Sequence, residues 1–481
     1  MTARLAIGIA LLTGACTTGE VLEPPALERD IVEAKVIPML VERPVDVLLV
    51  IDNSPAMAAY LPRQEANLRA IAAVFAQTPD RRGGVEVPDL HLAVITTDLG
   101  GPGSRFDDGA FQRERHVPDD FGEHVEPCAM LAAGATFIID APHPTIAGGR
   151  AGNHAGTLGD VLGCIGSVGA RGATFAAPLE AARRALDRAK RDEGDARGFL
   201  RDEARLAVYI ISASDDCSPP IGDDAPALWR ADAALGARDT FRCAAYGLTC
   251  DQALPQAGEV GPDPAVELTD CVPSTEDDVV TAIEPHVDWL RSYKANPRDV
   301  VVSIAAGPTA PVLLGQGDGD ASMLQSSCGE ADAPRTATPA VRLDAFRRAF
   351  VDRNYAVSIC SDEYESVLIG IAELLGGVIG NPCMLHPLAD SNPALPGVQP
   401  DCAVAFTPEV YGDDPTAPSE VLPVCDADAD ASVRPCWRFV VTDYCDSDAA
   451  GNLAFEFEWP ADRPRLGLVR TQCAVVDEAA P

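Results

Sequence analysis

Four long apolar runs constrain this chain more than any other feature. They are VDVLLVI at 45–51, LHLAVIT at 90–96, RLAVYIISA at 205–213 and VVVSIAA at 300–306. A half-exposed strand alternates apolar with polar residues, whereas a strand that is apolar throughout must be covered on both faces. YAVSIC at 355–360 reads as a further strand. Helical spacing fills the gaps: RQEANLRAIAAVFA at 63–76, TFAAPLEAARRALDRAK at 174–190 with Pro178 in its first turn, and TPAVRLDAFRRAFVDR at 338–353. Ser274 and Asp277 read as a capping box for a helix running to Lys294 with a kink at Pro285. YESVLIGIAELLGGVIG at 364–380 reads as the closing helix. Strands joined by helical crossovers predict an α/β domain over 44–380, a doubly wound, mostly parallel sheet with helices on both faces.

Beyond residue 380 the pattern changes. Pro, Asp and Cys dominate, and WRFVVTDY and NLAFEFEW read as short strands. Residues 381–481 therefore read as a small cysteine-rich module containing β-structure. The chain has fifteen cysteines. With Cys16 set aside, Cys128, Cys164, Cys217, Cys243, Cys250, Cys271, Cys328 and Cys360 form one group. Cys383, Cys402, Cys425, Cys436, Cys445 and Cys473 form the other. Each group is even and CxxC spacing is absent, which favours disulfides within each group over a zinc site. Cys243 and Cys250 are expected to bond other cysteines rather than each other.

The amino terminus predicts export. Leu5 to Leu12 (LAIGIALL) is too short to span a bilayer, and Thr13-Gly14-Ala15-Cys16 resembles a bacterial lipobox. On that reading residues 1–16 are a signal sequence ending at a lipidated Cys16, and 17–43 are a tether to the first strand. The expected location is the cell envelope, periplasmic or surface-exposed. Thr17 in place of an aspartate leans toward the outer membrane. The formal charge of −36, from 37 basic and 73 acidic residues, excludes nucleic acid as a partner, because phosphate binding needs clustered Lys and Arg.

In an open sheet, ligands bind beyond the carboxyl ends of the strands. The residues at those ends are Asp52-Asn53-Ser54-Pro55-Ala56, Thr96-Thr97-Asp98, Ala213-Ser214-Asp215-Asp216, and Gly172-Ala173-Thr174 before the amphipathic helix. Together VDVLLVIDNS, LAVITTD, GATFAAPLEAARRAL, LAVYIISASDDCS, FRCAAYGLTC, VRLDAF and YAVSICSDEY resemble the von Willebrand factor A (vWA) family, more narrowly its secreted bacterial lipoproteins. The resemblance covers roughly 44–380. It implies a metal-ion-dependent adhesion site in which hydroxyls, water and few carboxylates hold Mg²⁺ or Mn²⁺ for a carboxylate from a protein partner. Asp52, Ser54 and Thr174 match the family's ligands. Ala56 stands in place of its second serine and Ala213 in place of its third-loop acid. The site is therefore degenerate, with Asp98, Asp215 and Asp216 as candidates to compensate. Equally, Asp52, Ser54 and Thr174 can serve as helix caps.

Other motifs are weaker. Asp426-Ala427-Asp428-Ala429-Asp430 begins like a calcium loop, but Ala431 replaces its glycine. Gly317-Asp318-Gly319-Asp320 reads as a flexible acidic loop. The seven histidines show no HExxH spacing, and no GxSxG elbow, P-loop or GxGxxG follows a strand. The expected role is non-enzymatic: a lipid-anchored envelope protein binding an unknown protein or matrix ligand. A structural envelope protein with a relic site is the alternative, and a secreted hydrolase a third.

Overall fold

The computed structural model describes residues 32–39, 44–76, 89–101, 104–119, 122–142, 150–222, 226–329, 335–351, 353–361, 382–392, 394, 398–408, 419–425, 435–441, 445, 450–459 and 467–476. The helix read at 364–380, the acidic run at 426–431 and everything before residue 32, Cys16 included, lie outside these residues. The chain divides into two compact units. The larger comprises Leu40–Met384 and Val440–Ala454; the smaller comprises Met1–Met39, Leu385–Phe439 and Phe455–Pro481.

In the larger unit the apolar runs become β1 (Val45–Ile51), β2 (Leu90–Thr96), β5 (Arg205–Ile211) and β6 (Val300–Ala306). With β3 (Ile138–Pro142), β4 (Arg150–Gly152) and β7 (Asn354–Ser358) they form one sheet in the order β7-β6-β5-β1-β2-β3-β4. The first five of these pair in parallel, whereas β3 and β4 are added antiparallel. Every residue of β1, β2, β5 and β6 is buried. The helices are α1 (Leu61–Ala76), α2 (Leu158–Ile165), α3 (Pro178–Lys190), α4 (Phe241–Gly247), α5 (Ile283–Arg291) and α6 (Val341–Arg348). Val47, Leu49 and Ile51 share one core with Leu68 of α1 and Leu162 of α2. Leu48 and Val50 face the opposite core, with Leu186 of α3, Leu290 of α5 and Phe346 of α6. Each strand thus satisfies two apolar layers, which is why it carries no alternation.

The expectation of a doubly wound, mostly parallel α/β sheet is overturned. The described strands fall into six separate sheets, and the chain is mixed and strand-rich, tied by seven disulfides. The excursions supply the difference. Glu114–Asp119 and Gly122–Pro127 pair as a hairpin. Val266–Leu268, Val312–Gln316 and Ser322–Leu324 form a three-stranded antiparallel sheet. These strands are only three to six residues long, so no long apolar run marks them. Two further readings are corrected. Ser274 Oγ accepts from the Glu276 amide (3.2 Å), but the following helix begins only at Ile283. Pro285 therefore sits in its first turn and kinks nothing.

The smaller unit is built on a four-stranded antiparallel sheet. Its order is Val32–Met39, Gly467–Ala474, Cys402–Pro408, Glu420–Val421. The 17–43 tether is corrected accordingly: Val32–Met39 pairs along its whole length with Gly467–Ala474. Pairing of backbone groups across a sheet has no counterpart in a local pattern, and so this prolyl, charged segment gave no sign of it. WRFVVTDY and NLAFEFEW supply the paired strands Cys436–Val441 and Leu453–Glu458.

The pairings are Cys128–Cys164, Cys217–Cys243, Cys250–Cys271, Cys328–Cys360, Cys383–Cys445, Cys402–Cys473 and Cys425–Cys436. Each bridge stays within its own group. Seven disulfides are the pattern of proteins from oxidising compartments. Among the described residues no helix is long and apolar enough to cross a membrane.

Candidate functional site

The parallel strands deliver their carboxyl ends to one rim. There a cavity of about 300 Å³ is lined by Ala56, Thr174, Ala213, Ser214, Asp215 and, among others, Phe241. Ala56, Thr174 and residues 213–216, from three separated stretches, thus line one opening. The chain reaches this geometry through tight backbone packing. The Gly172 amide donates to the Asn53 carbonyl (2.7 Å), and a Cβ at Gly172 would lie 2.2 Å from Asn53 Oδ1. Only glycine permits that approach.

Asp52 is fully buried. Its Oδ1 accepts from the Ser54 amide (2.8 Å) and the Thr97 hydroxyl (3.3 Å), and its Oδ2 from the Ser212 hydroxyl (2.9 Å). Burial raises its pKa above the ordinary carboxylate value, against the opposing pull of these hydrogen bonds. Asp52 thus faces inward and knots three strand ends together. Ser54 precedes a 3₁₀ turn, Pro55–Ala59, but makes no side-chain cap there. Thr174 is exposed and does not cap α3, which begins at Pro178 after Ala177. The helix-cap reading of these three residues is therefore not what the geometry shows.

The compensating acids have other employment. Asp98 is buried and accepts from the Gly100 and Arg105 amides (2.9 and 3.0 Å) and from the Ser104 hydroxyl, closing its own loop. Asp216 takes four donors: Leu179 N, Ser218 N, Ser218 Oγ and Arg342 Nη2, the last at 3.0 Å. With Ser218 Oγ, which accepts from Glu180 N at 2.9 Å, it caps α3. Asp215 accepts from Arg342 N (2.9 Å) and Leu343 N (3.0 Å) in the first turn of α6, and from Asp216 N (2.9 Å). Desolvation nevertheless pushes it up to about 6.

A divalent ion does not fit this set. Magnesium takes near-octahedral oxygen coordination, and Ala56 and Ala213 offer only methyl groups at the strand ends. Asp52 and Asp98 each already take three protein donors, and Asp216 takes four, two of them from α3 and α6. Elsewhere among the described residues, one group has metal-like spacing, Cys425, Cys436 and Glu458, and its two sulfurs are bonded to each other.

Ser212 and Asp107 went unnoticed in the sequence. Ser212 reaches Asp52, and Asp107 accepts from Thr96 Oγ1 (2.6 Å) and Asn53 Nδ2 (3.2 Å), tying the β1 and β2 ends. A serine at the end of an apolar strand was a readable signal. Asp107 was not, since it lies eleven residues beyond Thr96 in an irregular loop.

No family profile and no curated protein matches the chain. Solved structures similar to it include the pilus adhesin RrgA of Streptococcus pneumoniae, at 10% identity and TM-score 0.30, covering 93% of this chain and 58% of that one. The adhesive tip pilin GBS104 of Group B Streptococcus agalactiae matches at 10% identity and TM-score 0.29, over 93% and 81% of the two chains. The pilus adhesin SpaC of Lactobacillus rhamnosus GG matches at 10% and 0.31, over 93% and 42%. The chain thus spans little more than half of the first of these proteins, and likeness at this level fixes neither fold nor function.

Proposed function

We propose that this is a non-enzymatic, lipid-anchored envelope protein that binds a protein partner at the rim above β1, without a divalent ion. The observation that carries the reading is the convergence of Ala56, Thr174 and Ala213 on one cavity at the strand ends. The finer parts of the proposal are kinship with vWA domains, which rests on the motif residues, and lipidation at Cys16, which rests on the lipobox pattern. Oxidative pairing of the other fourteen cysteines is consistent with export. The cavity wall carries several hydroxyls, Ser214 and Thr338 among them, and no histidine.

The test is a photo-crosslinking residue at exposed Ala56 in intact cells, with Glu193, beyond the far end of α3, as the control position. The expected result is a discrete adduct at Ala56 that survives EDTA and is absent at Glu193. No adduct at Ala56 or Thr174, or the same adduct from Glu193, overturns the reading.

A further inference from the structure

The wall of the rim cavity has three ionisable residues, Asp215, Asp216 and Arg342. Two of them cancel. The buried Arg342 guanidinium donates to Asp216 Oδ2 (3.0 Å), the Asp216 carbonyl (3.0 Å), the Gly247 carbonyl (3.2 Å) and the Thr281 carbonyl (2.5 Å). Asp216 is filled by its four donors. Asp215 is left as the uncompensated charge. It makes no ion pair among the described residues, and its three donors are backbone amides. Two of them share Oδ1 and one takes Oδ2, so Oδ2 keeps a free lone pair.

The rest of the cavity mixes apolar walls with neutral polar groups, Thr174, Thr240, Gln325, Ser326 and Thr336 among them. Phe241, Ala244, Leu248, Leu324 and Pro339 supply the walls, and Ser214 and Thr338 supply hydroxyls. An aliphatic stem can lie along such walls while its charged head reaches an acid. We propose that this cavity receives a lysine side chain of the protein partner, with its ammonium donating to Asp215 Oδ2. Lysine fits better than arginine because the carboxylate has one open position. A guanidinium fork needs two, and Oδ1 already holds two donors. The net charge of −36 favours approach of a basic surface. Alanines where the vWA pattern carries metal ligands thus accompany an inversion of specificity, from a partner's carboxylate to a partner's ammonium. The inference rests on the rim being the binding site.

The experiment is methyl NMR of the full-length chain, titrated with the capped peptides Gly-Lys-Gly, Gly-norleucine-Gly and Gly-Arg-Gly. Saturable shifts of the Ala213, Ala244 and Leu248 methyls are expected with the lysine peptide. Binding should be about tenfold weaker with norleucine, and about tenfold weaker to Asp215→Asn. Exposed Asp278→Asn should bind as the unaltered chain does. Ala56→Trp keeps Asp215 and its caps but blocks the mouth from an exposed position, and should abolish the shifts; it decides the matter if Asp215→Asn does not fold. Equal binding of norleucine, tighter binding of arginine, undiminished binding by folded Asp215→Asn or by Ala56→Trp, or shifts scattered without saturation would each overturn the assignment. Failure here with the Ala56 crosslink intact removes the lysine and leaves the rim; loss of the crosslink removes the rim itself.

Discussion

Asp52 is the residue on which the rim turns. Replacing it with alanine leaves the Ser54 amide and the Thr97 hydroxyl buried without an acceptor, and the Ser212 hydroxyl with Ser214 O alone. A lost helix cap would cost about 1 kcal/mol. Stranding buried donors costs more, and Asp52→Ala should destabilise the chain by about 2–4 kcal/mol in urea unfolding. Gly172→Ala should cost about 1–3 kcal/mol in the same assay, because the added methyl displaces Asn53 and the loop that carries Thr174. Asp215 makes a different prediction. Its folded pKa is raised from 3.8 to about 6, so between about pH 4 and 6 the folded chain binds a proton that the unfolded chain does not. Its contribution to stability is therefore greatest at low pH and is lost as the pH rises through about 6. Carboxyl ¹³C NMR should find the midpoint near 6, and a midpoint near 4 would contradict the desolvation argument.

At the scale of elements, α5 carries a group with the opposite sign. His286 is fully buried in it, and neither ring nitrogen has a hydrogen-bond partner among the described residues. Burial lowers its pKa below 6.5, outweighing the attraction of Asp216 and Glu180, while Arg342 and Arg183 push it further down. Below pH 6.5 the unfolded chain takes up a proton that the folded one refuses, and stability falls as the pH drops toward the folded value. His286→Leu should flatten that acid limb in a melting-temperature profile; an unchanged limb would place the titration elsewhere. The elements legible in the sequence are those that local pattern dictates. β1 and β2 coincide with their apolar runs, since burial on both faces leaves no room for polar residues. α3 starts at Pro178, the residue that marked its first turn. What could not be read depends on distant partners. Val32–Met39 is a strand because Gly467–Ala474 lies beside it, and the Asp98, Asp215 and Asp216 carboxylates accept from donors that their own spacing does not announce. Of the site, the sequence pointed to Asp52, Thr174 and Ala213 as neighbours; Thr174 and Ala213 line the cavity, whereas Asp52 turns inward to Ser212, a contact with no local signature.

For the whole molecule, the bridges respect the division of the chain. Cys402–Cys473 and Cys425–Cys436 lie within the smaller unit, and the other five lie within the larger. Cys402–Cys473 closes a separation of 71 residues, worth roughly 4 kcal/mol by loop-closure entropy. Replacing both cysteines with alanine should lower one calorimetric transition and leave a second, that of the larger unit, in place; a single transition lowered as a whole would mean that the units unfold together. The rim cavity at the strand ends has alanines at 56 and 213, and on the proposed reading it binds its partner without a divalent ion. The most direct test is a Mn²⁺ titration of the native chain and of the Ala56→Ser, Ala213→Asp double variant, read as paramagnetic broadening of methyls around the cavity. Sharp signals are expected in the native chain, and saturable broadening of Ala176 and Ala244 in the double variant. Saturable broadening in the native chain, or none in a folded double variant, would contradict that reading.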